Sequence, residues 1–215
     1  MKRRKKVIEK PRKTFLIVAA SEAESLYFSQ MRKDCRYTNM TVLWAEEIET
    51  LEDLIKFAAK ERTKGKFDRT WAVFSFEQMG VDEADVKEMQ VLANKRKIQL
   101  AWTNPDLPLW YLMHLQVPTQ VISEGKAIEN TLRGVFKEFD SSAEYLLDEG
   151  SSLHLKLFPA KAQAVMNSGS YNNLALAKGA TLVPMNFTKL TTEIADYCGV
   201  ADMSHNQKMI GLKNN

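Results

Sequence analysis

Thr14-Phe15-Leu16-Ile17-Val18-Ala19 is too short and too continuously apolar to be a surface helix, so it reads as a strand buried on both faces. Outward from it the same grammar repeats. Residues 22–33 read as a helix, and Thr41-Val42-Leu43-Trp44 is a second β-rich run. Thr50 with Asp53 gives a capping signature, after which Leu51, Leu54, Ile55 and Ala58 fall on one helical face. Thr70-Trp71-Ala72-Val73-Phe74-Ser75-Phe76 is the third strand, ended by Gly80. Asp82 caps a helix that carries Val86, Met89 and Leu92 to about Lys95, and Ile98-Gln99-Leu100-Ala101-Trp102 is the fourth strand. Strands alternating with helices predict an α/β fold: a mostly parallel four-stranded sheet flanked by helices. Ligands of such sheets gather at the carboxyl ends of the strands, here near Ala19–Glu24, Ser75–Gln78 and Thr103–Asp106.

Beyond Val117-Pro118 the pattern turns helical. Ile128, Leu132, Val135, Phe136 and Phe139 predict one amphipathic helix, and Ser141 with Glu144 a capping box. Leu155–Val165 and Leu190–Tyr197 predict two more helices, whereas Ser168–Asn173 and Gly179–Pro184 read as loops. The expected organisation is a basic flexible tail at 1–13, an α/β domain at 14–117, a helical C-terminal part at 118–203 packed on it, and a frayed end at 204–215.

The composition, 45% hydrophobic and 27% charged over 215 residues, suits a globular chain and excludes disorder, coiled coil and collagen. The formal charge of +3 belongs to the tail. Lys2, Arg3, Arg4, Lys5, Lys6, Lys10, Arg12 and Lys13 stand there against Glu9 alone, and the rest of the chain is net acidic. Such a tail is a candidate contact for nucleic acid phosphates or an acidic partner; the plain reading is a solvated terminus. Cys35 and Cys198 are far apart with no metal-ligand spacing, which fits a reducing compartment and no structural zinc. The apolar run after the basic start imitates a signal peptide but is short and passes into Ser21-Glu22-Ala23-Glu24. No stretch has the roughly 20 apolar residues of a membrane helix. The expectation is a cytoplasmic protein without membrane contact.

The segment Thr103-Asn104-Pro105-Asp106-Leu107-Pro108-Leu109-Trp110-Tyr111-Leu112-Met113-His114 resembles the signature of the RloB-like (AbiLii-type) family of defence-associated proteins, which has Asn-Pro, a Trp and a His in this order. Phe15–Phe28 and Phe67–Phe74 match further family segments, so the resemblance spans nearly the whole chain. It implies a Toprim-like architecture, in which a strand-end Glu and an Asp-x-Asp hold Mg²⁺ for phosphodiester chemistry. It also implies an ATPase partner of a defence module.

The family's acids are mostly replaced. Ala19 stands at the first Glu, Ser75-Phe76-Glu77 at the Asp-x-Asp, and Pro108 at the Glu of the Asn-Pro segment. The candidates that remain are Glu24, Glu77, Asn104, Asp106 and His114, with Glu24 and Glu77 as the possible metal ligands. Each has a plainer reading. Acids at helix starts are favoured by the macrodipole and stay solvated, Asn before Pro caps a helix, and His114 among apolar neighbours fits a partly buried side chain. Trp71, Trp102 and Trp110 are expected in the core, and His154 and His205 receive no role. The reading is a catalytically impaired RloB-like subunit that binds a partner, nucleic acid or both, with no cofactor. The alternatives are a Mg²⁺-dependent nuclease rebuilt from Glu24, Glu77, Asp106 and His114, and a pure protein-interaction module.

Overall fold

The computed structural model describes residues 13–208. The tail positions Lys2 to Arg12 and the end at 209–215 lie outside the described residues.

Strands β1 (Phe15–Ala19), β2 (Met40–Trp44), β3 (Arg69–Ser75) and β4 (Gln99–Thr103) form one sheet in the order β2-β1-β3-β4, with every pairing parallel. The connections are α1 (Glu22–Asp34), α2 (Leu51–Gly65), α3 (Phe76–Met79) followed by α4 (Glu83–Lys95), and beyond β4 comes α5 (Pro108–Met113). The chain runs from β1 outward to β2 and then crosses back to β3. The carboxyl ends of β1 and β3 therefore flank the point where strand order reverses, the usual position of a ligand crevice.

Alternation along the strands sorts the core into two layers. Leu16, Val18, Ala72, Phe74 and Leu100 face α2 and α4. Phe15, Ile17, Trp71, Val73 and Ala101 face α1, α5 and the C-terminal helices in one continuous buried cluster. Those helices are α6 (Gly125–Arg133), α7 (Ala143–Leu147), α8 (Leu153–Leu157), α9 (Lys161–Ala177) and α10 (Phe187–Cys198).

The C-terminal part also covers the open edge of the sheet, where unpaired backbone would otherwise invite another strand. The Asn186 side chain accepts from Trp102 N at 2.8 Å and donates to Leu100 O at 2.9 Å. Trp102 Nε1 donates to Val183 O at 2.8 Å, and Thr103 bridges Met185 in antiparallel fashion. On the inner face Glu193 of α10 accepts from the Arg69 guanidinium and from Trp71 Nε1, tying α10 to β3.

Three sequence expectations are corrected. Ser168–Asn173 is not a loop but the middle of α9. Weak helix formers are held there by tertiary bonds: Asn167 to Met113 O, Asn172 to Met185 O, and a buried Tyr171. The helix through Phe139 stops at Arg133. Val135 is 58% exposed, and Phe139 reaches the core from the turn that follows. The cap near residue 141 belongs to Ser142, which accepts from Tyr145 N, while the Ser141 hydroxyl donates to Glu129.

Candidate functional site

Ser21 ends β1's exit turn and caps α1, which places Glu24 at the third helical position beside the end of β3. Glu24 is not a solvated helix-start acid: its exposure is 0%. Oε2 accepts from Ser21 N at 3.1 Å, closing a capping box, and Oε1 accepts from the Ser75 hydroxyl at 3.1 Å. Burial penalises its charged form and pushes the carboxyl up to about 8, with the nearby Asp106 adding to the rise and the hydrogen bonds from Ser21 and Ser75 opposing it. At neutral pH Glu24 is therefore mostly a neutral acid.

Asp106 follows β4 and is half-buried. Its Oδ1 accepts from Leu107 N at 2.6 Å. Burial raises its pKa first, and the charges of Glu77 and Glu129 add to that; Leu107 N and the Ser75 hydroxyl pull the other way. Glu77 is exposed in the first turn of α3, and its Oε1 accepts from Gly125 N at 3.0 Å, so it serves the N-terminus of α6. A Cβ on Gly125 would stand 2.7 Å from Glu77 Oε2, so a side chain there would displace the exposed Glu77 carboxylate from Gly125 N.

Asn104 does not cap a helix. The position before α5 is Leu107, and Asn104 N donates to Pro184 O at 2.8 Å. The Asn104-Pro105 peptide is cis, and Pro105 O accepts from Glu77 N at 3.1 Å. His114 is placed elsewhere. It ends α5, donates from Nδ1 to Trp110 O at 2.9 Å, and is pushed down to about 4 by burial. It lines a void of about 20 Å³ with Tyr27, Cys35 and His154, room for about one water. His154 in turn donates from Nδ1 to Asp34 Oδ2 at 3.0 Å, a buried pair spanning 120 residues of sequence that no local pattern announces. Trp71, Trp102 and Trp110 are buried, as expected. Lys13, the tail position within the described residues, is exposed with Nζ 5.4 Å from the Tyr197 ring centroid.

Sequence reasoning missed two residues. Thr103, the register partner of Ser75, and Tyr111 of α5 both bury a hydroxyl with no hydrogen-bond partner among the described residues. The Tyr111 phenol is raised well above its ordinary pKa, by burial first and then by Tyr27, Asp106 and Glu24. Every residue of α5 is buried, so it shows no amphipathic contrast that would single out Tyr111.

Outside this cluster opens a crevice of about 600 Å³ at the strand ends, lined by Glu22, Glu46, Glu49, Asp106 and Asp140 with the half-exposed Trp44 on its wall. Among the described residues no lysine or arginine lines it.

A Mg²⁺ site needs ionised oxygens converging on one point at about 2.1 Å. The Glu24 oxygens are buried against Ser21 and Ser75, where burial disfavours the charged form; Asp106 Oδ1 is turned to Leu107 N and Glu77 Oε1 to Gly125 N. Among the described residues no group of three or more His, Cys, Asp or Glu side chains is arranged to share a metal. The residues present do not fit the ion.

Among the described residues no helix is long and apolar enough to cross a membrane. No curated protein and no solved structure matches the chain. A family model described as RloB-like protein matches residues 15–194, most of the chain, and the chain belongs to that family.

Proposed function

We propose that the protein is a catalytically impaired, Toprim-like RloB-family subunit that acts by binding. The observation that carries this reading is the burial of Glu24, an acid at 0% exposure folded into a capping box, where burial opposes the ionised form a metal ligand needs. The strand-end crevice then serves as a docking face. Its carboxylates repel phosphate and favour a cationic partner segment, with Trp44 offering an aromatic face to lysine or arginine. The resemblance points to an ATPase of a defence module as that partner. Nucleic acid is contacted by the basic tail, where Lys and Arg displace condensed counterions.

The competing reading is a nuclease whose site is rebuilt from Glu24, Glu77, Asp106 and His114. It is disfavoured because His114 sits in a separate void with His154. Incubating the purified chain with plasmid and with RNA, in Mg²⁺ or Mn²⁺, should leave both intact. Cleavage that disappears in Glu77→Gln would establish the nuclease and overturn the binding reading.

A further inference from the structure

Helices α2 and α4 both run back from the strand-end crevice, so their C-terminal ends lie together at the opposite edge of the sheet, where β3 and β4 begin. Between those ends is an open groove of about 620 Å³ whose charged lining is entirely lysine and arginine. Lys56 is paired with Glu52 and Asp53 at 2.9 and 3.2 Å, and Lys64 with Glu61 at 3.6 Å. Lys60, Arg62, Lys95, Arg96 and Lys97 line the same groove and make no ion pair among the described residues. Among the described residues Arg62 Nε is shielded from solvent and has no hydrogen-bond partner.

Cations at helix C-termini are partly explained by the macrodipole, which amounts to about half a negative charge at each end. Two helix ends account for about one positive charge and leave the groove strongly cationic. Lys97, just past the end of α4, is one of the cations left unpaired among the described residues. It occupies the left-handed region at φ 59°, where glycine would sit without strain.

We propose that this groove docks the phosphate backbone of double-stranded DNA without reading its sequence. Charge selects a polyanion. Among the described residues the lining contains no aromatic ring, so it offers no stacking platform for single-stranded bases. Apart from the Thr63 hydroxyl it offers no side-chain acceptor, so a ribose 2′-hydroxyl has little to recognise it. The described chain also enters at this edge: Thr14 N donates to Asp68 Oδ2 at 2.7 Å, and Arg69 N donates to Thr14 O at 3.1 Å. The groove is thus close to where the basic tail joins the fold, and far from the acidic crevice. The inference rests on the nucleic-acid part of the proposed function but uses other residues, so the two can fail separately.

The test is fluorescence anisotropy with a labelled 24-base-pair DNA duplex across a salt series, on the full chain and three full-length variants. One carries Lys60→Gln, Lys95→Gln and Arg96→Gln, all exposed positions. The second replaces the tail cations Lys2 to Arg12 with Gln, and the third combines both sets. The groove variant should weaken binding at least about tenfold near 0.1 M salt and lower the log–log salt slope by about 3, with unchanged thermal stability. Loss in the groove variant but not the tail variant leaves the groove standing and refutes the tail. Loss in the tail variant alone overturns the groove and keeps the tail. No binding by the unmodified chain, tighter binding to an RNA duplex, or equal binding to anionic vesicles overturns the DNA assignment. Lys97→Gly separates charge from folding: it should bind more weakly while melting no lower.

Discussion

Glu24→Gln should make the protein more stable at pH 8 by about 2–4 kcal/mol while changing little at pH 4. The sign follows from where the proton is held. In the unfolded chain this carboxyl ionises near 4.5, whereas burial keeps it protonated to about 8 in the fold. Between those values the native state binds more protons than the unfolded state, so stability falls as pH rises, by up to about 1.4 kcal/mol per unit from this group. Below the interval both states are protonated and nothing is lost. Glutamine keeps the shape, still accepts from Ser21 N, and meets Ser75 with its amide. Urea midpoints at pH 4, 6 and 8 for both proteins check this. Their difference isolates Glu24 from every other titrating group, and parallel pH profiles would mean that Glu24 is ionised in the native state.

Trp110→Ala should cost about 3–5 kcal/mol. The indole is 1% exposed, lies 4.7 Å from the His114 ring and 5.8 Å from the Phe187 ring, and donates from Nε1 to the Tyr27 hydroxyl at 2.9 Å. Truncation opens a cavity beside an existing small void and removes the donor to a buried phenol. Trp110→Phe restores most of the volume and should cost about 1–2 kcal/mol, chiefly the lost hydrogen bond. A side chain used to stack bases would behave otherwise, with Ala lowering binding at unchanged melting temperature.

The order of the strands and of the main helices through β4 was legible because the strands are short, largely apolar runs and Thr50 and Asp82 cap the helices that follow, whereas the short α3, whose Ser75 makes no side-chain cap, was not. The resemblance, carried by Asn104-Pro105, Trp110 and His114, led to the right family. The middle of α9 was illegible because Ser168, Gly169 and Asn172 argue locally against a helix, and only the Met185 and Met113 carbonyls across the core favour it.

The site divided along the same line. That Glu24, Ser75 and Asp106 would meet followed from their places at strand ends. That Glu24 would be wholly buried did not, because an acid in the first turn of a helix gives no local sign of what packs over it. His114 was drawn into the candidate set by the motif, yet its partner is the carbonyl one turn earlier on its own helix. Tyr111 and the Asp34–His154 pair belong to buried surfaces assembled from distant segments, which periodicity does not encode.

The buried strand-end acids lack the ionised oxygen to strip water from a divalent cation. Electron paramagnetic resonance of Mn²⁺ titrated into the protein at pH 7 measures this directly. The expected result is no saturable site beyond weak surface association. One stoichiometric ion, lost on Glu24→Gln or Asp106→Asn, would contradict it.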